Sequence, residues 1–300
     1  MIKMSNKNFK KTFEEFHDKN YKKLLIIPLA LLAFCFVYMF SFYSTNHDFF
    51  YKDISLTGGT SVTINSPLDI NELKSSVSSR LESVNVRGVS DLITQKSIAV
   101  IIETTSGEEE TRVVLEDYIG YELNNENSSF EFTGPTLSDS FYQQLLIAIL
   151  IAFVLMAIVV FIQFKTIIPS LAVISSAFAD VFMPLVLINI LGIKLSSAGI
   201  VAFLMLIGYS VDTDILLTSK VLKREGKSLN GRIFDSFKTG ITMTLTSLSA
   251  VLVAFFIIGQ LSSILSQIFL IMSIGLAFDI FNTWLTNVSI IKWYSIKKGK

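Results

Sequence analysis

Four aspartates lie inside long apolar stretches and are the residues best placed to do chemistry. Each interrupts a run that otherwise carries no charge: Asp180, Asp212, Asp214 and Asp279. An acid near the centre of a membrane helix costs about 2.5–3.5 kcal/mol, so such helices normally turn it toward protein or water. A carboxyl that moves between wet and dry surroundings takes up and releases a proton. The four aspartates are therefore candidates for a proton relay, driven by a membrane potential worth about 2.3 kcal/mol per charge per 100 mV.

The spacing of the aspartates indicates their depth in a membrane. Asp180 and Asp279 are each 13 or more residues from the nearest lysine, which places them near the midplane at about 1.5 Å per residue. Asp212 and Asp214 are within eight residues of Lys220, nearer one surface. Because two residues subtend about 200° on a helix, Asp212 and Asp214 need not share one role.

Two polar stripes and one cation accompany the aspartates. One stripe consists of Thr239, Thr242 and Thr246, and the other extends Asp279 with Asn282 and Thr283. Such stripes hydrogen-bond across helices or line a wet path. Lys238 lies at the start of the first stripe and is the nearest candidate counter-charge for an aspartate. Two alternatives remain open: a lone membrane Ser or Thr is usually structural, and Lys238 also suits a membrane-surface anchor.

The composition excludes several other chemistries. Only 17% of the residues are charged and 51% are hydrophobic, whereas a typical soluble domain carries about 25% charged residues. The single cysteine, Cys35, excludes a disulfide framework, and His17 and His47 are poor material for a metal site or a catalytic triad. No Walker A pattern is present. We expect no cofactor, no metal, no nucleic-acid partner and no enzymatic activity.

Six apolar segments must position the aspartates. A membrane helix needs about 20 mainly apolar residues, and each segment meets this length. They are residues 24–46, 140–164, 166–191, 195–219, 239–259 and 262–291. The sequence therefore predicts a polytopic α-helical protein with six transmembrane helices in a lipid bilayer.

The flanking cations predict the orientation of the helices. Of 25 Lys and Arg residues, 18 lie in the tail 1–23, at Lys165, in the loop 220–238 or in the C-terminal segment 292–300. The positive-inside rule places these segments in the cytoplasm. We expect a multi-pass protein of the cytoplasmic membrane with both termini cytoplasmic. Phenylalanines at helical spacing in the tail suit a helix on the membrane face, and a frayed tail is the alternative.

Residues 48–139, between the first two helices, must then lie outside the cytoplasm. This segment holds 16 acidic and 6 basic residues and is long enough for its own core. Its pattern predicts a ferredoxin-like α+β domain in the order β-α-β-β-α-β. The predicted elements are Ile54–Ile64, Leu68–Leu81, Gly88–Thr94, Ser97–Glu103, Glu108–Ile119 and Phe130–Thr133.

Several short motifs resemble the SecF family of the Sec protein-export machinery. The sequence from Gly208, Tyr209 and Ser210 to Asp214 resembles the family's motif in the fourth membrane helix. Similar matches are Asp180-Val181 in the third helix and Lys238-Thr239 in the fifth. The exterior domain opens with Gly58-Gly59 and closes with Gly134-Pro135, as in the family. The resemblance covers nearly the whole chain and is to the archaeal branch.

The resemblance implies a function and partners. Members of this family belong to the resistance-nodulation-division superfamily and pair with SecD, which supplies six more helices. The pair is thought to use the proton gradient to assist exported polypeptides through the SecY channel. This implies a SecD-like protein, a SecY-type translocon and exported polypeptides as partners, and aspartates that couple protonation to movement.

Two other functions are weighed against protein export. A resistance-nodulation-division transporter of small molecules or lipids would act without Sec, although self-contained pumps usually have twelve helices. An intramembrane aspartyl protease needs a Gly-x-Gly-Asp motif, which this sequence lacks.

Overall fold

The computed structural model describes residues 20–90, 97–223, 228–258 and 262–298. The predicted helix in the N-terminal tail lies outside these ranges. In chain order the elements are α1 (Ile26–Asn46), α2 (Ile54–Thr57), β1 (Gly59–Ile64), α3 (Ile70–Val77), β2 (Asn85–Ser90), β3 (Ser97–Thr104), α4 (Glu108–Ile119), β4 (Ser128–Thr133), α5 (Pro135–Phe164), α6 (Ile167–Ile190), α7 (Ser197–Leu222), α8 (Leu229–Ile258), α9 (Ser263–Asn282), a π-helical turn (Thr283–Asn287) and α10 (Val288–Lys297).

In the part of the chain that the structure describes, six helices are long and apolar enough to cross a membrane, as predicted. They are α1, α5, α6, α7, α8 and the last helix, which runs through α9, the π-helical turn and α10. The helices α6 and α7 occupy the centre of the bundle. In the most apolar 18-residue stretch of each, 56% of the residues are buried, whereas the corresponding fraction in α8 is 6%. The central pair carries Asp180 and Asp214, so these acids lie where protein surrounds them on every side.

Helix α8 begins earlier than the apolar pattern predicts. The expected cytoplasmic loop 220–238 is wrong in its second half, because α8 begins at Leu229, ten residues before Thr239. The first turns of α8 are polar, yet Ile233 packs on Leu217 and Val221 of α7. Tertiary packing thus extends the helix beyond its apolar run. Helix α5 likewise begins at Pro135, which suits the first helical position because it has no N–H to leave unbonded.

The exterior domain has the predicted ferredoxin-like arrangement. Its sheet has the strand order β2-β3-β1-β4, and every neighbouring pair is antiparallel. Strand residues Val62, Ile64 and Ile102 are buried against Leu73 of α3 and Leu115 of α4. Alternation along β1 and helical spacing in α3 and α4 therefore build one core on one face of the sheet.

The first predicted strand is wrong in its first half. Residues Ile54–Thr57 form the single helical turn α2, because the Asp53 carboxylate accepts a hydrogen bond from the Ile54 N–H at 2.8 Å and caps it. Gly58 ends this turn with φ of +82°. A Cβ there would lie 2.7 Å from the Cα of Pro135. The Gly58-Gly59 and Gly134-Pro135 motifs therefore meet where the chain enters and leaves the exterior domain.

Candidate functional site: aspartates buried among three membrane helices

Three of the four predicted aspartates meet inside the bundle of membrane helices. Asp180 comes from α6, Asp214 from α7 and Asp279 from α9, and all three side chains are fully buried. We call them the aspartate cluster. Hydroxyl and amide groups of neighbouring helices donate to all three carboxyls, so the cluster is a polar network within an apolar bundle.

Asp180 takes hydrogen bonds from two other helices. The Ser210 hydroxyl of α7 donates to Asp180 Oδ2, and the Asn282 Nδ2 of α9 donates to Asp180 Oδ1 at 2.7 Å. Both donors are themselves buried. Asp180 therefore joins α6 to both of the other acid-bearing helices.

One threonine hydroxyl lies between the other two carboxyls. Thr283 Oγ1 is 2.9 Å from Asp214 Oδ1 and 3.2 Å from Asp279 Oδ1. A hydroxyl has one proton to donate and otherwise accepts. It satisfies both carboxyls fully only when one of them is protonated and donates back to the hydroxyl. The geometry therefore suits a pair of acids that shares a proton.

Two further donors complete this pair. Asn287 Nδ2 donates to Asp214 Oδ1 at 2.7 Å, and the Thr244 hydroxyl of α8 lies 3.3 Å from Asp279 Oδ2. Among the described residues, Asp214 Oδ2 has no hydrogen-bond partner. Chemically, the arrangement can accept and release protons while remaining shielded from lipid.

The π-helical turn aligns the donors of the last helix. The Val288 N–H bonds to the Thr283 carbonyl, five residues back, and this wider turn displaces the residues beyond it. As a result, Asn287 and Thr283 both donate hydrogen bonds to Asp214 Oδ1, although Asn287 lies eight residues beyond Asp279 on the last helix. Turns of this kind are frequent at functional sites.

Sequence reasoning missed two of the donors. Asn287 continues the predicted stripe of Asp279, Asn282 and Thr283, so its position along the helix was an available signal. Thr244 was hidden, because the fifth segment carries several threonines and the predicted stripe lies on its other side. The predicted stripe on the last helix, by contrast, is buried throughout.

The fourth aspartate lies apart from the cluster. Asp212 is exposed on α7, on the same side of the helix as exposed Gly208. Its distance of two residues from Asp214 turns it about 200° away, so the two side chains point to nearly opposite sides of α7. The motif from Gly208 to Asp214 therefore divides between two faces, with Ser210 and Asp214 inward.

The predicted threonine stripe of α8 does not reach the cluster. Thr239, Thr242 and Thr246 are exposed, and each hydroxyl donates to a main-chain carbonyl three or four residues back on α8. Of the three, the Thr239 hydroxyl also accepts a hydrogen bond from Lys220 of α7, whereas Thr242 and Thr246 bond within α8, because the opposite side of α8 packs inward. We call Gly208, Asp212 and these threonines the outward face.

The remaining motif residues lie beside the outward face. Lys238 is exposed, and its pairing with an aspartate stays a prediction. The Tyr209 hydroxyl lies 2.6 Å from the Ser247 hydroxyl and 3.2 Å from the Met243 carbonyl, which ties α7 to α8. Lys220 Nζ donates to Thr239 at 3.1 Å. The helices that carry the outward face are thus fixed to each other.

Outside the membrane, one acid on the open face of the sheet is unusual. Glu103 lines a cavity of about 760 Å³ between that face and the exterior ends of α6, α7 and α9. Burial raises the pKa of Glu103, and the nearby Asp53 adds to the effect, while contacts with Arg87 and Asn85 oppose it. Within the described ranges no group of three or more His, Cys, Asp or Glu residues is placed to hold a metal ion.

Comparisons with known proteins agree with this architecture. The family described as "Protein export membrane protein SecD/SecF, C-terminal" matches residues 115–297. SecF of Methanocaldococcus jannaschii is 38% identical over 283 residues, covering 92% of this chain and 96% of that protein. SecF of Pyrococcus furiosus is 32% identical and covers 92% of each chain. SecDF of Thermus thermophilus, a translocon-associated membrane protein, has the same fold with a TM-score of 0.72 at 19% identity. That match covers 92% of this chain but 38% of the SecDF chain.

The six apolar helices and the ferredoxin-like domain define a multi-pass membrane protein, and the family match assigns it to the protein-export class. Within that class, the chain belongs to the SecF family of protein-export membrane proteins.

Proposed function

We propose that this chain assists protein export across the cytoplasmic membrane, together with a SecD-like protein and a SecY-type translocon, and that the proton gradient drives it through the aspartate cluster. Protonation and deprotonation of Asp180, Asp214 and Asp279 change how α6, α7 and α9 attract each other. The exterior domain then moves against exported polypeptides as they leave the channel.

The shared Thr283 hydroxyl is the observation that carries this proposal. Because Thr283 satisfies Asp214 and Asp279 together only with a proton between them, loss of that proton leaves two buried carboxylates that share the single proton of the Thr283 hydroxyl. Buried charges of like sign repel strongly where the dielectric constant is low. Deprotonation therefore favours separation of α7 from α9, and this is the step that we assign to the gradient.

The outward face supports a membrane partner. An aspartate exposed to hydrocarbon costs about 2.5–3.5 kcal/mol near the centre of a helix, and membrane acids normally face protein or water. Among the described residues, Asp212 is exposed, and the exposed Thr242 and Thr246 donate to carbonyls of their own helix. Docking of SecD-like helices on the outward face would bury this polar surface and offer Lys238 and Asp212 partners of opposite charge.

The distribution of cations supports the orientation proposed for the complex. The ends of α5 and α6 that meet at Lys165, and the region between α7 and α8, carry the positive charges. The exterior domain follows α1 on the opposite side. We place both termini in the cytoplasm and the acidic domain outside.

The test is the rate at which a secreted reporter matures in cells, followed by pulse-chase with and without a protonophore. We expect the chain to accelerate maturation only while the gradient is present. Thr283→Val should remove this acceleration, because it removes the hydroxyl between the carboxyls. Thr45→Val is the matched control, because Thr45 is exposed on α1 and its hydroxyl donates to the Ser41 carbonyl of its own helix; it should leave both the acceleration and the abundance in the membrane unchanged. Acceleration that survives the protonophore would contradict the role of the proton gradient.

The partner is tested by affinity purification from native membranes in mild detergent, followed by mass spectrometry. We expect a SecD-like protein to be recovered with the folded chain. Its reproducible absence would contradict the proposed complex and favour a transporter that acts without Sec.

A further inference from the structure

The chain connection that leads from α1 into the exterior domain is also fastened to the loop between two other membrane helices. The segment that follows α1, residues 49–55, lies against the loop between α6 and α7. We call this contact the exterior junction. It is formed by Phe49, Tyr51, Asp53 and Ser55 on one side and by Asn189, Leu195 and Ser197 on the other.

One buried side chain holds the first part of the exterior junction. Asn189, at the end of α6, is 2% exposed. Its Nδ2 donates to the Phe49 carbonyl at 2.7 Å, and its Oδ1 accepts from the Tyr51 N–H at 3.2 Å. The side-chain amide thus satisfies one donor and one acceptor of the opposite main chain, as a paired strand would.

Main-chain bonds extend the junction along the loop. The Leu195 N–H donates to the Tyr51 carbonyl at 2.7 Å, and the Asp53 N–H donates to the Leu195 carbonyl at 3.0 Å. The Ser197 N–H, at the start of α7, donates to the Ser55 hydroxyl at 3.0 Å. These five hydrogen bonds fasten the base of the exterior domain to the ends of α6 and α7.

The same loop is tied to α9. Gln267 Nε2 donates to the Lys194 carbonyl at 2.6 Å, and Gln267 Oε1 accepts from the Ser196 N–H at 3.0 Å. The loop therefore joins the exterior ends of α6, α7 and α9, the three helices that supply the aspartate cluster. Asn189 is nine residues from Asp180, or about 14 Å along α6.

We propose that the exterior junction transmits movement of the acid-bearing helices to the exterior domain, and that Asn189 is the positioning residue that makes this transmission rigid. The inference rests on the proposed function, since it assumes that protonation moves α6, α7 and α9. Helices transmit displacement along their length, and hydrogen-bonded contacts between rigid elements carry it onward. The Asn189 amide is the side-chain component of that contact on α6.

A purely structural role for Asn189 makes a different prediction. If the residue only stabilised the fold, its loss would loosen the protein equally at every pH. If it transmits movement, its loss should separate two responses to pH, one in the helices and one in the exterior domain. The experiment therefore measures both responses in the same molecule.

The test uses the full chain in complex with its copurified partner, in lipid nanodiscs, at two pH values on either side of neutrality. Amide hydrogen exchange is followed in peptides from α7 and α9 and in peptides from the exterior domain. Wild type is compared with Asn189→Leu and with Ser55→Ala, which removes a single hydroxyl acceptor at the junction. Asn125→Leu, an exposed site in the exterior domain, is the matched control. The intrinsic rate of amide exchange is the same in wild type and variant at a given pH, so it cancels when the two proteins are compared.

In wild type and Asn125→Leu we expect exchange to change with pH in both the helices and the exterior domain. In Asn189→Leu the helices should still respond, while the response of the exterior domain is lost. Ser55→Ala, which should fold normally, is expected to show a smaller loss at the same peptides.

Two results would overturn the inference in distinguishable ways. If the exterior domains of both junction variants respond to pH as in wild type, the junction does not transmit movement, and the proposed function is unaffected. If neither the helices nor the exterior domain of wild type responds to pH, the proton-driven function fails, and this inference fails with it.

Discussion

The aspartate cluster with its donors and the outward face both contain an aspartate of α7 and threonines, yet their surroundings differ. In the cluster, Asp214 takes hydrogen bonds from Thr283 and Asn287 of another helix. On the outward face, Thr242 donates to its own helix, and Asp212 is exposed. The acids of the cluster are therefore hydrogen-bonded across helices within this chain, whereas Asp212 on the outward face is exposed.

The two regions therefore suit different functions, proton movement in the cluster and docking of a partner on the outward face. A site that moves protons must hold its acids away from lipid and give each one a donor that tolerates either protonation state. A docking surface must leave its polar groups available until a partner arrives. One helix, α7, serves both because residues two apart point in nearly opposite directions.

Asp214→Asn and Asp212→Asn should give the largest and most opposed effects. Asp214→Asn removes the protonatable group beside Thr283, so the gradient-dependent acceleration of reporter maturation should be lost. Asp212→Asn should instead lower the amount of SecD-like partner that is recovered by about tenfold or more, because it removes a charge that the partner would pair with on docking. Pulse-chase and affinity purification are measured on both variants at equal abundance. Equal effects of the two variants in both assays would contradict the division of roles.

Gly275→Ala and Gly208→Ala compare the buried and outward sides through packing alone. A Cβ at Gly275 would lie 2.2 Å from Leu206 Cδ2, whereas at Gly208 it meets nothing within 4 Å. We expect Gly275→Ala to destabilise the isolated chain by about 1–3 kcal/mol, and Gly208→Ala to change it by less than about 0.5 kcal/mol. Thermal unfolding in detergent measures both. If SecD-like helices pack closely on the outward face, recovery of the partner should fall for Gly208→Ala but not for Gly275→Ala. Unchanged recovery for Gly208→Ala would argue that the partner binds to another surface.

Glu103→Gln should give the smallest effect and extends the comparison to an acid outside the membrane. Burial raises the pKa of Glu103 above its ordinary value of 4.5, so the folded domain keeps this proton to higher pH than the unfolded chain does. Stability from this group is therefore greatest below pH 4.5 and declines as pH rises through the folded pKa. Glu103→Gln should remove that decline, while exposed Glu131→Gln should not. Proteolysis of the exterior domain between pH 4 and 8 measures it, and an unchanged slope in Glu103→Gln would contradict the assignment.

Much of the exterior domain was predictable from particular residues. Alternation placed Val62 and Ile64 in the core, and helical spacing placed Leu73 and Leu115 against them. This succeeded because the domain faces water, where burial of apolar side chains drives folding and leaves a periodic pattern in the sequence. The exception was Ile54–Thr57, where capping by Asp53 outweighed β propensity.

Inside the membrane the same reasoning found the helices but not their inward sides. Lipid is as apolar as leucine, so a membrane helix has no hydrophobic reason to turn one side inward. The threonines Thr242 and Thr244 of α8 therefore look alike in the sequence, although one is exposed and the other donates to Asp279. Asn189 likewise gave no signal, because its partners are main-chain groups more than a hundred residues away.

From the sequence alone we could predict six apolar spans, an acidic domain of β-α-β-β-α-β order between the first two, four membrane aspartates and the opposed directions of Asp212 and Asp214. These follow from local chain geometry and from the preference of apolar residues for the bilayer. Only the tertiary structure decided that three aspartates meet, that Thr283 lies between two of them, and that the stripe on α8 faces outward. Contacts between helices in lipid depend on packing and hydrogen-bond geometry, which no period in the sequence records.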